Sequence, residues 1–384
     1  MLPYLAIGIF ITAIGGMTTV NARDPQRNLL GRRPFRMRPM LVGMGILFVV
    51  LTLFAGVRGD FSSDHFEYTE YFQYIRSISI VKILTNGFTM EKGFVLFSHF
   101  VGIITNSNTL YMLVISIITM WFIFKAFQEQ SLMPCLSVIL FVAIGNYYES
   151  FNAVRQVIAV AIAFWATRYI NEKKADVWKY LIWILLASMI HRTVLIMIPF
   201  YAVKWIRPNF WVGIACIVTF VVAFVALPLG VWCLQQVFPQ YGLDYGMNGG
   251  SINAVVPFLG VGIFVWMGSY VAGVDYDKLE NRVQFFGLIA TLFFLGLSMR
   301  IYLFARMASY FKPFVCLLVA NIVYHWRVDK LPLPLQKLSK KLKLNDTRWK
   351  AILFCLIALA GLAYIFVWLS GTGYDPYYFS REWF

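Results

Sequence analysis

"MLVGMGILFVVLTLFAGV", residues 40–57, follows directly on "NARDPQRNLLGRRPFRMRP", residues 21–39. The first stretch has no charged side chain, and the second holds six arginines and one acid. An uncharged run of this length reads as a helix that crosses a bilayer, and an arginine-rich flank marks the cytoplasmic side. Similar runs recur along the chain, as in "AILFCLIALAGLAYIFVWL" (351–369). Of the 384 residues 60% are apolar and only 13% are charged, against roughly a quarter charged in a soluble domain. In hydrocarbon every backbone polar group must be satisfied within the protein, so the expected fold is all-α, a polytopic transmembrane helical bundle. One integral membrane domain is expected over 1–384, with no soluble domain and no internal repeat. The opening segment "LPYLAIGIFITAIGGMTTV" lacks a basic leader, so no cleavable signal peptide is expected.

Spans are predicted at about 2–20, 40–57, 108–127, 131–146, 153–170, 178–190, 193–206, 210–232, 254–273, 283–300, 306–325 and 351–370, about 12 in all (11–13). Alternating from the loop at 21–39 puts every basic loop on one side. That side holds 23 of the 33 basic residues and nine of the 18 acids, a balance of +14 against +1. The net charge of +15 is thus a topology signal, and nucleic acid is not an expected partner. The cytoplasmic loop 326–350 is basic and Leu/Pro-rich, suited to anionic headgroups of the bilayer. The segment 91–105 is too short to span and would invert the later loops, so it reads as re-entrant or surface-lying within an outer loop, 58–107. Ahead of it Tyr68, Tyr71, Phe72, Ile75 and Ile78 recur at helical spacing, as in an amphipathic helix on the outer membrane face or one packed on the bundle. Cys135, Cys216, Cys233, Cys316 and Cys355 form no CxxC or metal-like spacing, so neither a disulfide framework nor a metal site is expected.

This topology gathers Arg58, Asp60, Asp64, Glu91, Glu149, Asn152, Arg155, His191, Asp244, Arg300 and Arg306 on the outer side. Ionisable residues in or beside a span are functional candidates. Arg155 is the sharpest, since it stands in the opening turn of "YYESFNAVRQVIAVAIAFWATRYI" (147–170). Asn152, Arg155, Gln156, Ala159, Ala163 and Ala166 share a helical face there, a polar cap over a small-residue groove. The plainer alternative pairs Arg155 with Glu149 or lets it snorkel. His191, at the tip of a short hairpin, is a candidate general base or a histidine hydrogen-bonded at a helix break. Asp64 is a candidate base or a helix-start carboxylate. Arg300 and Arg306 would point roughly 120° apart on one unbroken helix, so either the helix breaks or one of them is structural. Arginines on one face suit a phosphate or pyrophosphate, which they bind through planar, permanently charged forks.

"VRGDFSSDHFEYTEYF", "EKGFVLF", "NAVRQVIAVAIAFWATRYI", "ASMIHRTVLIMIPFY" and "GYDPYYF" occur in that order. Together they resemble the EpsG-like family of exopolysaccharide and O-antigen polymerases of the Wzy type, from about residue 40 to the C-terminus. Arg58, Asp64 and Tyr68 match that family's Arg, Gly-Thr-Asp and Tyr positions, with Ser62-Ser63 in place of Gly-Thr and Asp60 as a rival acid. The resemblance implies a glycosyltransferase at the outer (periplasmic) face of the bacterial inner membrane. It would move a growing glycan from undecaprenyl pyrophosphate to the non-reducing end of a new lipid-linked repeat unit. A GT-C-like fold follows by analogy, as do a chain-length regulator and a flippase as partners. The transfer is expected to be inverting and metal-free, without a cofactor. Asp64, His191 and Arg155 are the expected catalytic residues. Arg58, Tyr68, Glu91, Asn152, Gln156, Arg300, Arg306 and Tyr374 are the expected substrate-binding ones. A transporter of lipid-linked oligosaccharide and a membrane O-acyltransferase are the rival readings.

Overall fold

The computed structural model describes residues 2–19, 37–59, 63–85, 87–88, 90–173, 175–237 and 252–370. Helices α1 (Leu2–Thr19) and α2 (Met37–Gly56) precede three shorter ones, α3 (Ser63–Arg76), α4 (Ile80–Thr85) and α5 (Lys92–Ile104). Next come α6 (Asn108–Gln130), α7 (Pro134–Ala143), α8 (Asn146–Glu149), α9 (Val154–Ala166), α10 (Asp176–Ser188) and α11 (Met197–Phe200). The remainder is α12 (Phe210–Val237), α13 (Ile252–Val271), α14 (Leu279–Ser298), α15 (Leu303–Ala308), α16 (Lys312–His325), α17 (Leu333–Lys341) and α18 (Asp346–Ser370). No β-strand occurs among the described residues.

α9 is the axis of this arrangement. Four alanines, Ala159, Ala161, Ala163 and Ala166, are at most 1% exposed, and every other residue of the helix except Arg155 is buried as well. Alanine has no rotamer entropy to lose in a helix and lets neighbouring backbones come close. α6 and α10 pack along α9, with α2 behind α6. Larger rings fill the remaining space: Phe164 meets Phe127 at 5.5 Å and Phe314 at 5.2 Å, while Trp165 meets Trp183 at 4.8 Å, all edge-on. Edge-to-face pairs add to close packing, which in lipid must do the work that the hydrophobic effect does in water. The small-residue face is therefore closed by neighbouring helices and forms no open groove.

Helix lengths give a coarser answer than the charge count. Among the described residues four helical stretches are long and apolar enough to cross a bilayer: Asn108–Gln130, Trp211–Leu229, Leu279–Ser298 and Asp346–Tyr364. These coincide with four of the twelve expected spans. Other apolar helices are shorter, such as Pro134–Ala143 and Lys312–His325. α7 is buried along its whole length, and broken or short helices are tolerated at membrane depth where protein surrounds them. The expected spans at 178–190 and 193–206 form a bent hairpin, in which α10 is followed by alternating 3-10 and α turns over 192–205. α5, at 13 residues, is about 20 Å long and cannot span. α3 is docked on the bundle: Tyr68, Phe72 and Ile75 are buried, and Phe72 stacks on Tyr111 at 4.1 Å. The helix breaks over 299–302, between Arg300 and Arg306, which resolves the question of their relative direction. Cys135, Cys216, Cys316 and Cys355 are free thiols.

α2 and α6 meet at Gly56, where an added Cβ would lie 2.8 Å from the Cα of Leu113. Backbone cannot give way as a flexible side chain can. Gly56→Val should therefore lower stability by about 1–3 kcal/mol, and thermal unfolding in detergent, compared with Gly45→Val where no atom lies within 4 Å, checks it.

Candidate functional site

Arg155 is the second residue of α9, and its guanidinium leaves the packed axis at the helix start. Nη1 lies 2.5 Å from Oε2 of Glu91, and Nε donates to the hydroxyl of Tyr68 at 3.3 Å, with the Tyr68 ring 5.9 Å away. Those partners use two edges of the fork, Nη2 has no hydrogen-bond partner among the described residues, and 22% of the side chain is exposed. Glu91 is the N-cap residue of α5, yet its side chain makes no capping bond there. Instead the carboxylate turns outward: Oε1 accepts from the backbone N–H of Arg192 at 3.1 Å and lies 3.4 Å from Nδ1 of His191. Three separate parts of the chain thus meet at one carboxylate, the start of α5, the start of α9 and the turn at 191–192, and α3 joins them through Tyr68 on Arg155.

The turn is held as firmly as the helices. Gly93 lies so near residue 189 that an added Cβ would sit 2.6 Å from the Met189 carbonyl oxygen. The same oxygen accepts from Phe94 N–H at 3.2 Å. His191 has extended backbone, its N–H bonds to Ala187 O at 3.0 Å, and its side chain is 15% exposed. Thr193 and Tyr310 share a hydroxyl hydrogen bond of 2.9 Å that ties the hairpin to the segment between α15 and α16.

Other expected site residues have different roles in the geometry. Gln156, next to Arg155, donates its amide to the Arg306 carbonyl, so the α9 start is fastened to α15. Asn152 Oδ1 accepts from the Asp64 backbone N–H at 3.4 Å, which places Asp64 beside the α9 entrance. Arg58 is 2% exposed. Its guanidinium donates to the carbonyls of Ala55 and Phe151, the latter at 3.3 Å, and stacks over the Phe151 ring. What Arg58 holds in this conformation is the protein's own backbone. Arg300 is exposed and lies over the Phe224 ring of α12 at 4.7 Å. Glu149, the alternative partner for Arg155, pairs instead with Lys312 at the start of α16. Tyr374, with the "GYDPYYF" motif, Asp60 and Asp244 lie outside the described residues. Sequence reasoning passed over Thr193, Tyr310 and Lys312. An apolar-flanked lysine before Pro313 was the one local signal; the two hydroxyls gave none.

Burial alone would raise the Glu91 carboxyl. The contacts from His191 and the Arg192 N–H, together with the charge of Arg155, outweigh that and hold it at about 2, below its ordinary 4.5. A carboxylate that stays ionised in this way keeps a fixed negative charge beside a guanidinium and an imidazole. A cavity of about 630 Å³ lies elsewhere, past the C-terminal end of α9, lined by Gln130, Thr167, Arg168, Asn171 and Gln284 among others. Its polar groups largely satisfy one another, as Thr167 with Gln130 and Arg168 with Glu129. It sits about 18 Å along the helix from Arg155. A family model described as the EpsG family matches residues 42–333. No curated protein and no solved structure matches the chain.

Because the folded Glu91 value lies below the unfolded one, its stabilising contribution is present above about pH 4.5 and is lost as pH falls toward about 2. Melting curves in detergent should show wild type more stable than Glu91→Gln near pH 6, with the gap closing below about pH 4. A gap that stays constant over that range would contradict the assignment.

Proposed function

The chain belongs to the EpsG family, and from that membership and the Arg155 cluster we propose that it polymerises a surface polysaccharide. The substrates are repeat units carried on undecaprenyl pyrophosphate. The growing glycan leaves its carrier and joins a hydroxyl at the non-reducing end of the next lipid-linked unit. The enzyme works in the bacterial inner membrane with its site facing the periplasm, alongside a flippase that delivers units and a chain-length regulator. The observation that carries this reading is the partly exposed guanidinium of Arg155, held by Glu91 and Tyr68 at the start of a buried helix. A guanidinium set this way is preorganised to bind a departing pyrophosphate, and such donors count most in the transition state.

In this scheme Arg155 offsets the charge that grows on the pyrophosphate as the glycosidic bond to it breaks. In this reading Arg306 and Arg300 also meet the lipid-linked anion, and Asn152, Gln156 and Tyr68 shape the approach. The base that receives the hydroxyl proton is Asp64 or His191. The transfer is inverting and runs on protein groups alone.

Deleting the gene should abolish long chains on a surface-polysaccharide gel and leave a single-repeat product. Loss of every product, the single repeat included, would indicate export instead. Arg155→Ala should lower kcat by roughly 10²–10³, the equivalent of about 2.7–4 kcal/mol, at normal protein abundance. Full-length polymer from that variant would remove Arg155 from the reaction.

A further inference from the structure

Glu91 was read from the sequence as a substrate contact, but the geometry gives it another occupation. We propose that Glu91 is a positioning residue for the transfer reaction: it turns Nδ1 of His191 toward its own carboxylate, leaving Nε2 to accept the proton of the acceptor hydroxyl. This rests on the polymerase reading above and selects His191 over Asp64 as the base.

Oε2 of Glu91 is taken by Arg155 Nη1, and Oε1 by the Arg192 N–H. A carboxylate ligated on both oxygens and 13% exposed is poorly placed to bind a sugar. Nδ1 of His191 also lies 3.4 Å from Oε1. That separation is a contact without the alignment of a formed hydrogen bond, and such bonds commonly tighten only when substrate is bound. Nε2 of His191 has no hydrogen-bond partner among the described residues, so the other ring nitrogen is open.

Rigidity makes the arrangement more than proximity. Glu91 and His191 stand on two backbones locked together at Gly93, Phe94 and Met189. Thr193 and Tyr310 then hold the turn that follows. Glu91 from α5 faces the imidazole, and the other charged and titratable groups around this pair are Arg192 from the same turn, Arg155 from α9 with Tyr68 from α3 behind it, and Tyr310, bonded to Thr193, from the α15–α16 segment. An ionised carboxylate at Nδ1 keeps the proton on that nitrogen and stabilises the imidazolium that forms during transfer, as in other carboxylate–histidine pairs.

The acceptor oxygen forms a bond to the anomeric carbon of the donor glycan while its proton passes to His191 Nε2. The bond from that carbon to the pyrophosphate oxygen breaks, and its electron pair leaves with the undecaprenyl pyrophosphate, facing Arg155. His191 then returns the proton to solvent.

Two measurements on the full-length protein test this. In ¹⁵N-histidine spectra, with the His191 signal identified by its loss in His191→Asn, wild type should show the Nδ1–H tautomer. Glu91→Ala should shift the population toward Nε2–H, and Glu91→Asp should restore part of it. With lipid-linked repeat units in vesicles, Glu91→Ala should lower kcat about 100-fold with KM changed less than about threefold, and Glu91→Asp should recover at least a tenth of the loss. An unchanged tautomer in Glu91→Ala overturns the proposal, as does a variant whose defect lies in KM alone, or a His191→Asn enzyme with wild-type kcat. If the wild type itself forms no polymer from those units, the polymerase reading fails, and the tautomer still decides whether Glu91 orients His191.

Discussion

A carboxylate withdrawn from water needs partners, and Glu91 has a guanidinium and a backbone N–H, with an imidazole nitrogen 3.4 Å away. Breaking a partly buried ion pair leaves an uncompensated charge, which is far more destabilising than the intact pair is stabilising. Each partner of Glu91 therefore has to arrive at a fixed place. Arg155 is placed by the packing of α9, the Arg192 amide by the turn after α10, and Glu91 itself by the close seat of α5 on Met189. The rest of the bundle serves to bring these elements to one end and to hold them there.

The axis of the fold was legible in residues 152–170, because alanines at helical spacing admit close neighbours wherever those neighbours come from. Arg155 was legible as an anomaly for the same reason: it is the one charge in an otherwise buried helix. Its partner was not. Glu149 lies six residues away in the chain and Glu91 lies 64, and only tertiary structure turns the nearer acid toward Lys312 and the farther one toward Arg155. Local spacing ranks partners by sequence distance, whereas a bundle ranks them by which helix ends coincide. Of the expected spans, four coincide with helices long and apolar enough to cross a bilayer among the described residues; α7 is shorter and buried throughout, and the 192–205 segment is short, with Leu195, Ile198 and Trp205 exposed. The break at 299–302 carries no proline or other strong stop, so the sequence offered two readings of Arg300 and Arg306 and no means of choosing.

The polar start of α9 and the cavity beyond its other end differ in how their side chains are used. Around the cavity Thr167 pairs with Gln130 and Arg168 with Glu129. At the Arg155 end, Nη2 of Arg155 and Nε2 of His191 have no hydrogen-bond partner among the described residues. For the lipid-linked glycan proposed above, a rim suits better than a chamber, because lipid and glycan both extend well beyond the reacting atoms.

Arg58 carries an implication for how the molecule is made. Its guanidinium ends α2, but the carbonyls that satisfy it at Ser150 and Phe151 come 92 and 93 residues later in the chain. At about 5–20 residues per second of synthesis, α2 waits on the order of 5–20 s before those acceptors exist. Through that interval the charge must remain at the hydrated boundary of the bilayer, since an unpaired guanidinium is strongly disfavoured deeper in. Membrane insertion of α2 and its final seating are thus separate events in time, and the second is timed by the emergence of the segment that leads into α9.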